Sequence, residues 1–198
     1  SGTYQAALSA ASRASKPGQL TVVDSKNLSI GHGLVMLCAA ENAQAGKSPA
    51  EVVAATERSA ACTRSYGAVP DLSYTVRGGR IRQPWRWLAN VLPLSFLLST
   101  DAKGGIKVRG ILRRGGDLVS GLVRLATQDR LLKSGAAPLR LAIAHANAPE
   151  AAEALRVACV SAFPNLESIL VADLGPAYSV HAGPGTLALG VQEYQPPA

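Results

Sequence analysis

The feature that most constrains the fold of this chain is the alternation of short, β-branched apolar runs with longer segments of helical length. Residues 20–24 (Leu-Thr-Val-Val-Asp) form one such run, which is typical of a buried parallel strand. An Ala-rich segment at 3–14 precedes this run, and an apolar segment of helical length follows it at 33–45. Ser-Pro-Ala-Glu at 48–51 supplies an N-cap, a proline at N1 and an acidic first turn, so a further helix is predicted through Cys62. Helix, strand, helix, helix is the order of a layered α/β domain.

The character of the chain changes near residue 70, and the second part again alternates strand-like and helix-like segments. Strands are predicted at 94–100 and 106–112 around a Lys-Gly-Gly turn, and then at 139–145, 168–171 and 186–194; helices are predicted at 117–132 and from 147–150 to Pro164. The pattern predicts a second α/β layer pair, with a boundary near residue 70.

Composition excludes several classes of protein. The 198 residues are 47% hydrophobic and 17% charged, which is typical of a soluble globular protein and not of a disordered one. No apolar run approaches the roughly 18 residues that a membrane span needs. The three cysteines, Cys38, Cys62 and Cys159, lack the spacing of a metal site, and we interpret them as buried thiols in the reducing cytoplasm. The net charge of +7 indicates a partner without choosing among nucleic acid, acidic lipid and acidic protein.

The segment 180–186 (Val-His-Ala-Gly-Pro-Gly-Thr) is the least ordinary one in the chain. Two glycines around a proline indicate a tight, rigid turn at which the backbone can approach a ligand closely. His181 stands directly before this turn and would be positioned by it. The alternative interpretation is a β-turn that follows an incidental histidine.

A Gly-Gly pair precedes a single arginine, Arg80, within residues 76–81. Such a pair lets the chain bend and direct the guanidinium inward, where its two-pronged fork suits a carboxylate or a phosphate. A solvated basic loop is the alternative.

Two other polar segments are candidate anion or ligand sites. Ser-Gly-Thr-Tyr at 1–4 begins a helix, where hydroxyls and free backbone N–H groups can hold an anion or simply cap the helix. Residues 24–31 follow the predicted strand, and ligands collect at the carboxyl ends of strands in open α/β sheets. The same segment could instead be a loop that satisfies its own backbone through Asx and Ser turns. His32 and His145 are interpreted as structural or incidental.

Four motifs in this order resemble those of the DegV family. That family has a Ser-Gly-Thr-Tyr-Gln helix start, Asp-Ser-Lys followed by Ser-x-Gly-x-Gly, a Gly-Gly-Arg-Ile turn and a His-x-Gly-Pro-Gly loop; here they stand at 1–5, 24–33, 78–81 and 181–185. The resemblance implies a two-domain DegV-like α/β fold. Residues 1–68 would be the remainder of an N-terminal α/β domain, and residues 69–198 a C-terminal α/β domain with a mixed sheet packed on helices. Because family members have roughly one α/β half-domain before Ser-Gly-Thr-Tyr, the chain is expected to lack the N-terminal third.

The same resemblance implies a bacterial carrier protein, not an enzyme, that binds one long-chain fatty acid with its tail in an internal tunnel. Ser1 would donate its hydroxyl, and Gly2 its amide, to the fatty-acid carboxylate. Arg80 would lie near the head group or the transferred phosphate, and His181 would donate from the Gly-Pro-Gly loop. The implied partner is a dihydroxyacetone-kinase-like fatty-acid kinase that makes the acyl phosphate, and no cofactor or metal is expected. The basic run that starts at Arg113 is thinner than in relatives, which leaves the kinase's identity open.

Two other classes of function compete with this hypothesis. The segment 77–87 interleaves four arginines with Trp85 and Trp87, so it could grip phosphates and stack on bases as a nucleic-acid-binding module, although we expect no nucleic-acid partner. The same cluster could make transient contact with an anionic membrane surface. A hydrolase with Ser1, His181 and Asp24 as a triad is the second alternative, but the chain lacks the Gly-x-Ser-x-Gly motif.

Overall fold

The computed structural model describes residues 2–79, 94–113, 115–129 and 137–197. Within these ranges the chain forms seven α-helices and six β-strands: α1 Gly2–Ser12, α2 Ser29–Gln44, α3 Pro49–Ala61, β1 Thr63–Val69, α4 Ser73–Arg77, β2 Leu94–Thr100, β3 Ile106–Arg113, α5 Leu118–Thr127, β4 Leu139–His145, α6 Pro149–Ala162, β5 Leu166–Asp173, α7 Pro176–Ala182 and β6 Leu187–Glu193. A short 3-10 turn, Pro17–Gln19, follows α1.

The six strands form one mixed sheet in the order β3-β2-β1-β6-β4-β5. β4 and β5 are parallel, and all other neighbouring pairs are antiparallel. In β4 and β6 every residue but the last is buried, which is expected of strands that are covered by helices on both faces. The predicted α/β class and mixed sheet are therefore confirmed.

Helices cover both faces of the sheet. Ser65 of β1 lies directly against Gly31 of α2, where an added Cβ would come within 2.1 Å of the Ser65 Oγ. The next residue, Tyr66, belongs to the main hydrophobic core with Leu122 of α5 and Leu155 of α6. Since successive side chains of a strand point to opposite faces, α2 lies on one face of the sheet and α5 and α6 on the other. α3 packs against α2 on its side of the sheet.

Several predicted elements are confirmed, because strong local signals define them. α3 begins with a full capping box, in which the Ser48 Oγ accepts from the Glu51 N–H and the Glu51 carboxylate accepts from the Ser48 N–H. β4 spans 139–145 as predicted, and β2 spans 94–100. Among the described residues, no helix combines the length and hydropathy that a bilayer crossing requires.

Other predictions are wrong in detail. Residues 20–24 belong to no helix or strand and pair with no described strand, and Leu20 is 53% exposed, so the β-branched run alone does not make a buried strand. The predicted helix at 117–132 begins as expected at its N-cap Asp117 but ends at Thr127; residues 130–136 lie outside the described ranges. β1, near the centre of the sheet, was not predicted. The division into residues 1–68 and 69–198 stays a prediction, and its boundary falls at the last residue of β1.

Candidate functional site

His181 lies in the last turn of the short helix α7, directly before the Gly-Pro-Gly turn. His181 therefore belongs to a helix and not to the loop from which it is expected to donate. Helix α7 is absent from the predicted elements, although Pro176 after Gly175 is a helix-start signal. The Nδ1 atom of His181 is buried and has no hydrogen-bond partner among the described residues. A buried ring nitrogen is normally paired, so this imidazole is a candidate to bind a ligand.

The Gly-Gly segment and the His-Gly-Pro-Gly segment are in direct contact. A Cβ placed on Gly78 would lie 2.1 Å from the Nδ1 atom of His181, so position 78 has no room for a side chain beside this imidazole. A Cβ on Gly183 would lie 2.5 Å from the Tyr74 ring. The glycines of both motifs thus let α4 and α7 pack closely, and this packing fixes where His181 lies.

Helix α7 also contacts the start of α2. The Ser29 N–H donates to the Tyr178 hydroxyl over 3.3 Å, and Ile30 and Ala182 pack on the same small hydrophobic cluster as Ala144 and Ala188. The candidate site is therefore the place where α2, α4 and α7 meet. Tyr178 and Thr75 belong to these elements and were missed; Thr75 has a buried Oγ1 without a partner among the described residues, and no sequence signal marked either one.

The segment before α2 is held both by its own side chains and by Ser65 of β1. The Lys26 N–H donates to Asp24 Oδ1 over 3.1 Å, and the Asn27 N–H donates to Ser25 Oγ over 3.3 Å. The Ser65 hydroxyl contacts both Asn27 Oδ1, at 3.0 Å, and the Leu28 carbonyl, at 3.1 Å. The two local bonds are the Asx and Ser turns of the alternative interpretation, and with the bonds from Ser65 they position the start of α2.

The two remaining histidines have structural partners. His32 Nδ1 lies 2.9 Å from Ser25 Oγ, and His145 Nδ1 accepts from the Ala148 N–H over 3.3 Å. Their interpretation as structural agrees with these bonds.

An apolar groove runs along α2 on its sheet side. Its volume is about 450 Å³, and all its lining residues are apolar: Ile30, Gly33, Leu34, Met36, Leu37, Ala40, Ala142 and Leu170. Met36 is 54% exposed and Leu170 is 45% exposed, so the groove is open to the surface. Ile30, at one end of the groove, packs on the same small hydrophobic cluster as Ala182 of α7, the helix that carries His181. This arrangement can bury an apolar chain whose end lies near an imidazole.

The other predicted site residues are only partly described. Ser1 and Arg80 lie outside the described residues. Gly2 begins α1, a helix without buried residues, and an added Cβ there would meet no described atom within 4 Å. Of the four predicted site residues, His181 is the one for which the described ranges record a contact with a second motif. The assignment of all four stays a prediction.

The competing hypotheses gain no support from the described residues. The Arg77 guanidinium lies 5.5 Å above the Tyr74 ring, and the rest of the 77–87 segment beyond Gly79 lies outside the described ranges. Asp24 accepts the local Lys26 N–H bond, and no hydrogen bond joins it to His181. Nowhere in the described part of the chain do three or more His, Cys, Asp or Glu residues cluster in a way that could hold a metal ion.

Comparisons with known proteins identify the family. The family model described as "Uncharacterised protein, DegV family" matches residues 1–193. A DegV domain-containing protein of Streptomyces coelicolor is 34% identical over 191 residues, which cover 96% of this chain and 66% of the relative. The chain thus spans just under two thirds of that relative's length.

Two solved structures have the same fold. A DegV family protein from Corynebacterium glutamicum, 23% identical, matches 98% of this chain and 71% of its own chain with a TM-score of 0.84. A DegV family protein from Thermus thermophilus, described for its fatty acid binding, is 28% identical and matches 98% of this chain and 67% of its own with a TM-score of 0.80. With a family match over nearly its whole length, this chain belongs to the DegV family.

Proposed function

We propose that this protein binds one long-chain fatty acid, with the acyl chain along the α2 groove and the carboxylate where α2, α4 and α7 meet. One observation carries the proposal: a wholly apolar groove of about 450 Å³ is lined by the first turns of α2, and the start of α2 contacts α7, the helix that holds His181. The fatty acid binding described for the Thermus thermophilus relative supports the same ligand class.

The energetics favour the acyl chain as the main source of affinity. Burying about a dozen methylenes at about 0.8 kcal/mol each contributes roughly 10 kcal/mol before the costs of ordering and association. An unpaired buried carboxylate would cost several kcal/mol. The polar groups at the end of the groove therefore have to pair the carboxylate.

We assign that pairing to Ser1, Gly2, Arg80 and His181. The Ser1 hydroxyl and the Gly2 amide donate to the carboxylate from the start of a helix, and Arg80 can donate two parallel N–H bonds. The contact between Gly78 and the His181 ring supports a shared role for Arg80 and His181. Arg80 is two residues from Gly78, and two residues of extended chain span at most about 7 Å.

We further propose that the protein is a carrier and that a partner supplies the chemistry. A dihydroxyacetone-kinase-like enzyme transfers the terminal phosphoryl group of ATP to a carboxylate oxygen, which releases ADP and leaves an acyl phosphate. In a protein of the relatives' full length, additional residues would close the open groove into an internal tunnel. The exposed side chains of Met36, Leu37 and Leu170 support brief contact with a membrane surface while the lipid is exchanged.

The direct test is to purify the protein under mild conditions, denature it and analyse the organic extract by mass spectrometry. We expect long-chain acyl groups near one equivalent per chain. The delipidated protein should take up an added fatty acid, and it should be required for acyl phosphate formation by the kinase. His181→Ala and Arg80→Ala should each weaken retention or phosphorylation. An extract free of acyl groups, together with no uptake by the delipidated protein, would refute the proposal.

A further inference from the structure

A second cavity lies between α2, α3 and the C-terminal residues 193–197. Its volume is about 330 Å³, and it meets a different set of α2 residues from the groove, namely Cys38 and Asn42. The opposite walls are formed by α3, including Ser59 and Arg58, and by the end of β6. The fatty-acid proposal makes no use of this cavity.

The C-terminal wall of the cavity is held in place by specific contacts. The Glu193 N–H donates to the Cys62 carbonyl over 3.2 Å, and the Tyr194 N–H donates to the Pro138 carbonyl over 2.8 Å. The Tyr194 ring stacks under the Arg140 guanidinium, whose carbon lies 3.8 Å from the ring centroid. Arg140 is 8% exposed and also pairs with Glu41 of α2 at 2.9 Å. These contacts anchor Glu193 and Tyr194, the first two residues of this wall.

A buried acceptor without a partner lines the cavity. Gln192 is 1% exposed, and its Nε2 donates to Ser59 Oγ over 2.7 Å and to Thr63 Oγ1 over 3.0 Å. The Thr63 hydroxyl donates to the Ser59 carbonyl over 2.7 Å, so it can only accept from Gln192, and this fixes the orientation of the amide. The Gln192 Oε1 is then left buried with no described partner, which is unfavourable unless a donor reaches it.

A second carboxamide in the cavity also offers an acceptor. Asn42 is 7% exposed, and its Nδ2 donates to the Cys38 carbonyl over 2.8 Å. None of the hydrogen bonds among the described residues reaches its Oδ1. Gln192 Oε1 and Asn42 Oδ1 can therefore both accept a hydrogen bond from a ligand that carries donors.

Two cations, Lys47 and Arg58, and two carboxylates, Glu51 and Glu193, line the cavity, and Arg58 is placed to pair with an acidic ligand. Arg58 is exposed, and no described carboxylate lies within ion-pair distance of it. Glu51, the lining carboxylate on the same helix, is occupied by the Ser48 N–H and hydroxyl at 2.8 and 2.6 Å. At about 30 Å³ for each water-sized group, 330 Å³ accommodates roughly ten non-hydrogen atoms.

We infer that this cavity binds a small organic acid that carries hydroxyl or amino donors. The donors reach Gln192 Oε1 and Asn42 Oδ1, and the acidic group pairs with Arg58. The inference is independent of fatty-acid binding, because the cavity and the groove share no lining residue.

Cys62 provides a readout of ligand occupancy. It lines the cavity and is half-buried, whereas Cys38 is 8% exposed and Cys159 is fully buried. Burial, followed by repulsion from Glu193, raises the pKa of the Cys62 thiol, so alkylation with iodoacetamide is followed at alkaline pH. Loss of the label in Cys62→Ser assigns the signal.

The probes are D-glycerate, L-serine and glycerol 3-phosphate, with acetate as an acid that lacks donors. A probe at about ten times its Kd leaves roughly one protein molecule in ten without ligand, so the probe should slow Cys62 alkylation about tenfold. Arg58→Ala should abolish this protection and leave fatty-acid uptake unchanged. The matched variant Arg124→Ala, on the exposed surface of α5 across the sheet, should keep the protection.

Three results would overturn the inference: no protection by any of the three probes, equal protection by acetate, or unchanged protection in Arg58→Ala. Saturation-transfer NMR on the same probes and variants gives an independent measure of binding. A failure here with normal fatty-acid uptake would leave the fatty-acid proposal standing, so the two can be told apart.

Discussion

Gly78→Ala is the substitution that most sharply tests the position of His181. The backbone of Gly78 has φ −73° and ψ 0°, a conformation that alanine adopts without strain. The new Cβ would lie 2.1 Å from the Nδ1 atom of His181, where ordinary van der Waals contact begins at 3.4 Å. The imidazole must therefore retreat by about 1.3 Å (3.4 − 2.1) or adopt another rotamer.

The expected effects follow from that displacement. Overpacking of this kind costs about 1–3 kcal/mol of folding stability. If the displaced imidazole no longer donates to the fatty-acid carboxylate, a charge-assisted hydrogen bond worth about 1.5–3 kcal/mol is lost. Fatty-acid affinity should then fall about ten- to a hundredfold.

The neighbouring glycine supplies the control. Gly79 has φ +68° but no described atom within 4 Å of an added Cβ, so Gly79→Ala should cost about 1 kcal/mol through backbone strain alone. Its fatty-acid affinity should stay close to that of the wild type. Calorimetric titration of the delipidated proteins gives the affinities, and urea unfolding gives the stabilities.

A double substitution separates the steric cause from other causes. In a His181→Ala background the imidazole is absent, so Gly78→Ala should lose most of its destabilising effect. The reasoning fails if Gly78→Ala binds the fatty acid as tightly as the wild type. It also fails if the stability cost of Gly78→Ala persists unchanged without the imidazole.

Three further outcomes are expected. Met36→Asp places a charge in the apolar groove and should weaken fatty-acid binding more than about tenfold, whereas Val157→Asp, on the equally exposed surface of α6, should not; titration distinguishes them. Hydrogen bonds from the N-cap serine of α3 lower the pKa of Glu51 from its ordinary 4.5, so their stabilisation is complete above that pH and lost as the pH falls through the folded-state value. The stability difference between the wild type and Glu51→Gln should therefore shrink in acid, and an unchanged difference would contradict this. Tyr66→Phe removes the 2.8 Å bond to Asp129 and should cost about 1.5 kcal/mol in urea unfolding; no measurable loss would contradict that value.

The sequence predicts those elements whose signals are local. Residues 139–145 are mostly apolar, with Arg140 as the exception before the final histidine, which is typical of a buried strand, and the N-cap, proline and glutamate at 48–51 define a helix start independently of the rest of the chain. The order of the four motifs identifies the family, which the family match confirms.

The sequence fails where tertiary contacts decide the structure. β1 carries Ser65 and Gly67, small residues that are typical of a loop, and its Ser65 packs closely on Gly31 of α2. α4 has five residues and α7 has seven, too few to be stable alone, and each forms because it packs on the other. The run at 20–24 has strand propensity but no described partner strand.

The candidate site was predicted in part for the same reason. His181 and the Gly-Gly turn carry recognisable motifs, but the apolar groove combines residues of α2, β4 and β5 that no sequence pattern links. Thr75 and Tyr178 gain their places only from the packing of α4, α7 and α2.

The central claim, that an acyl chain lies along the α2 groove, can be measured at one atom. Met36 lines the groove and is the sole methionine of the sequence, so labelling with methyl-¹³C methionine gives a single NMR signal from the groove wall. On addition of a long-chain fatty acid to the delipidated protein, we expect this signal to shift and to show nuclear Overhauser contacts with acyl methylenes. A bound fatty acid that leaves the Met36 methyl signal unshifted and without such contacts would contradict the account.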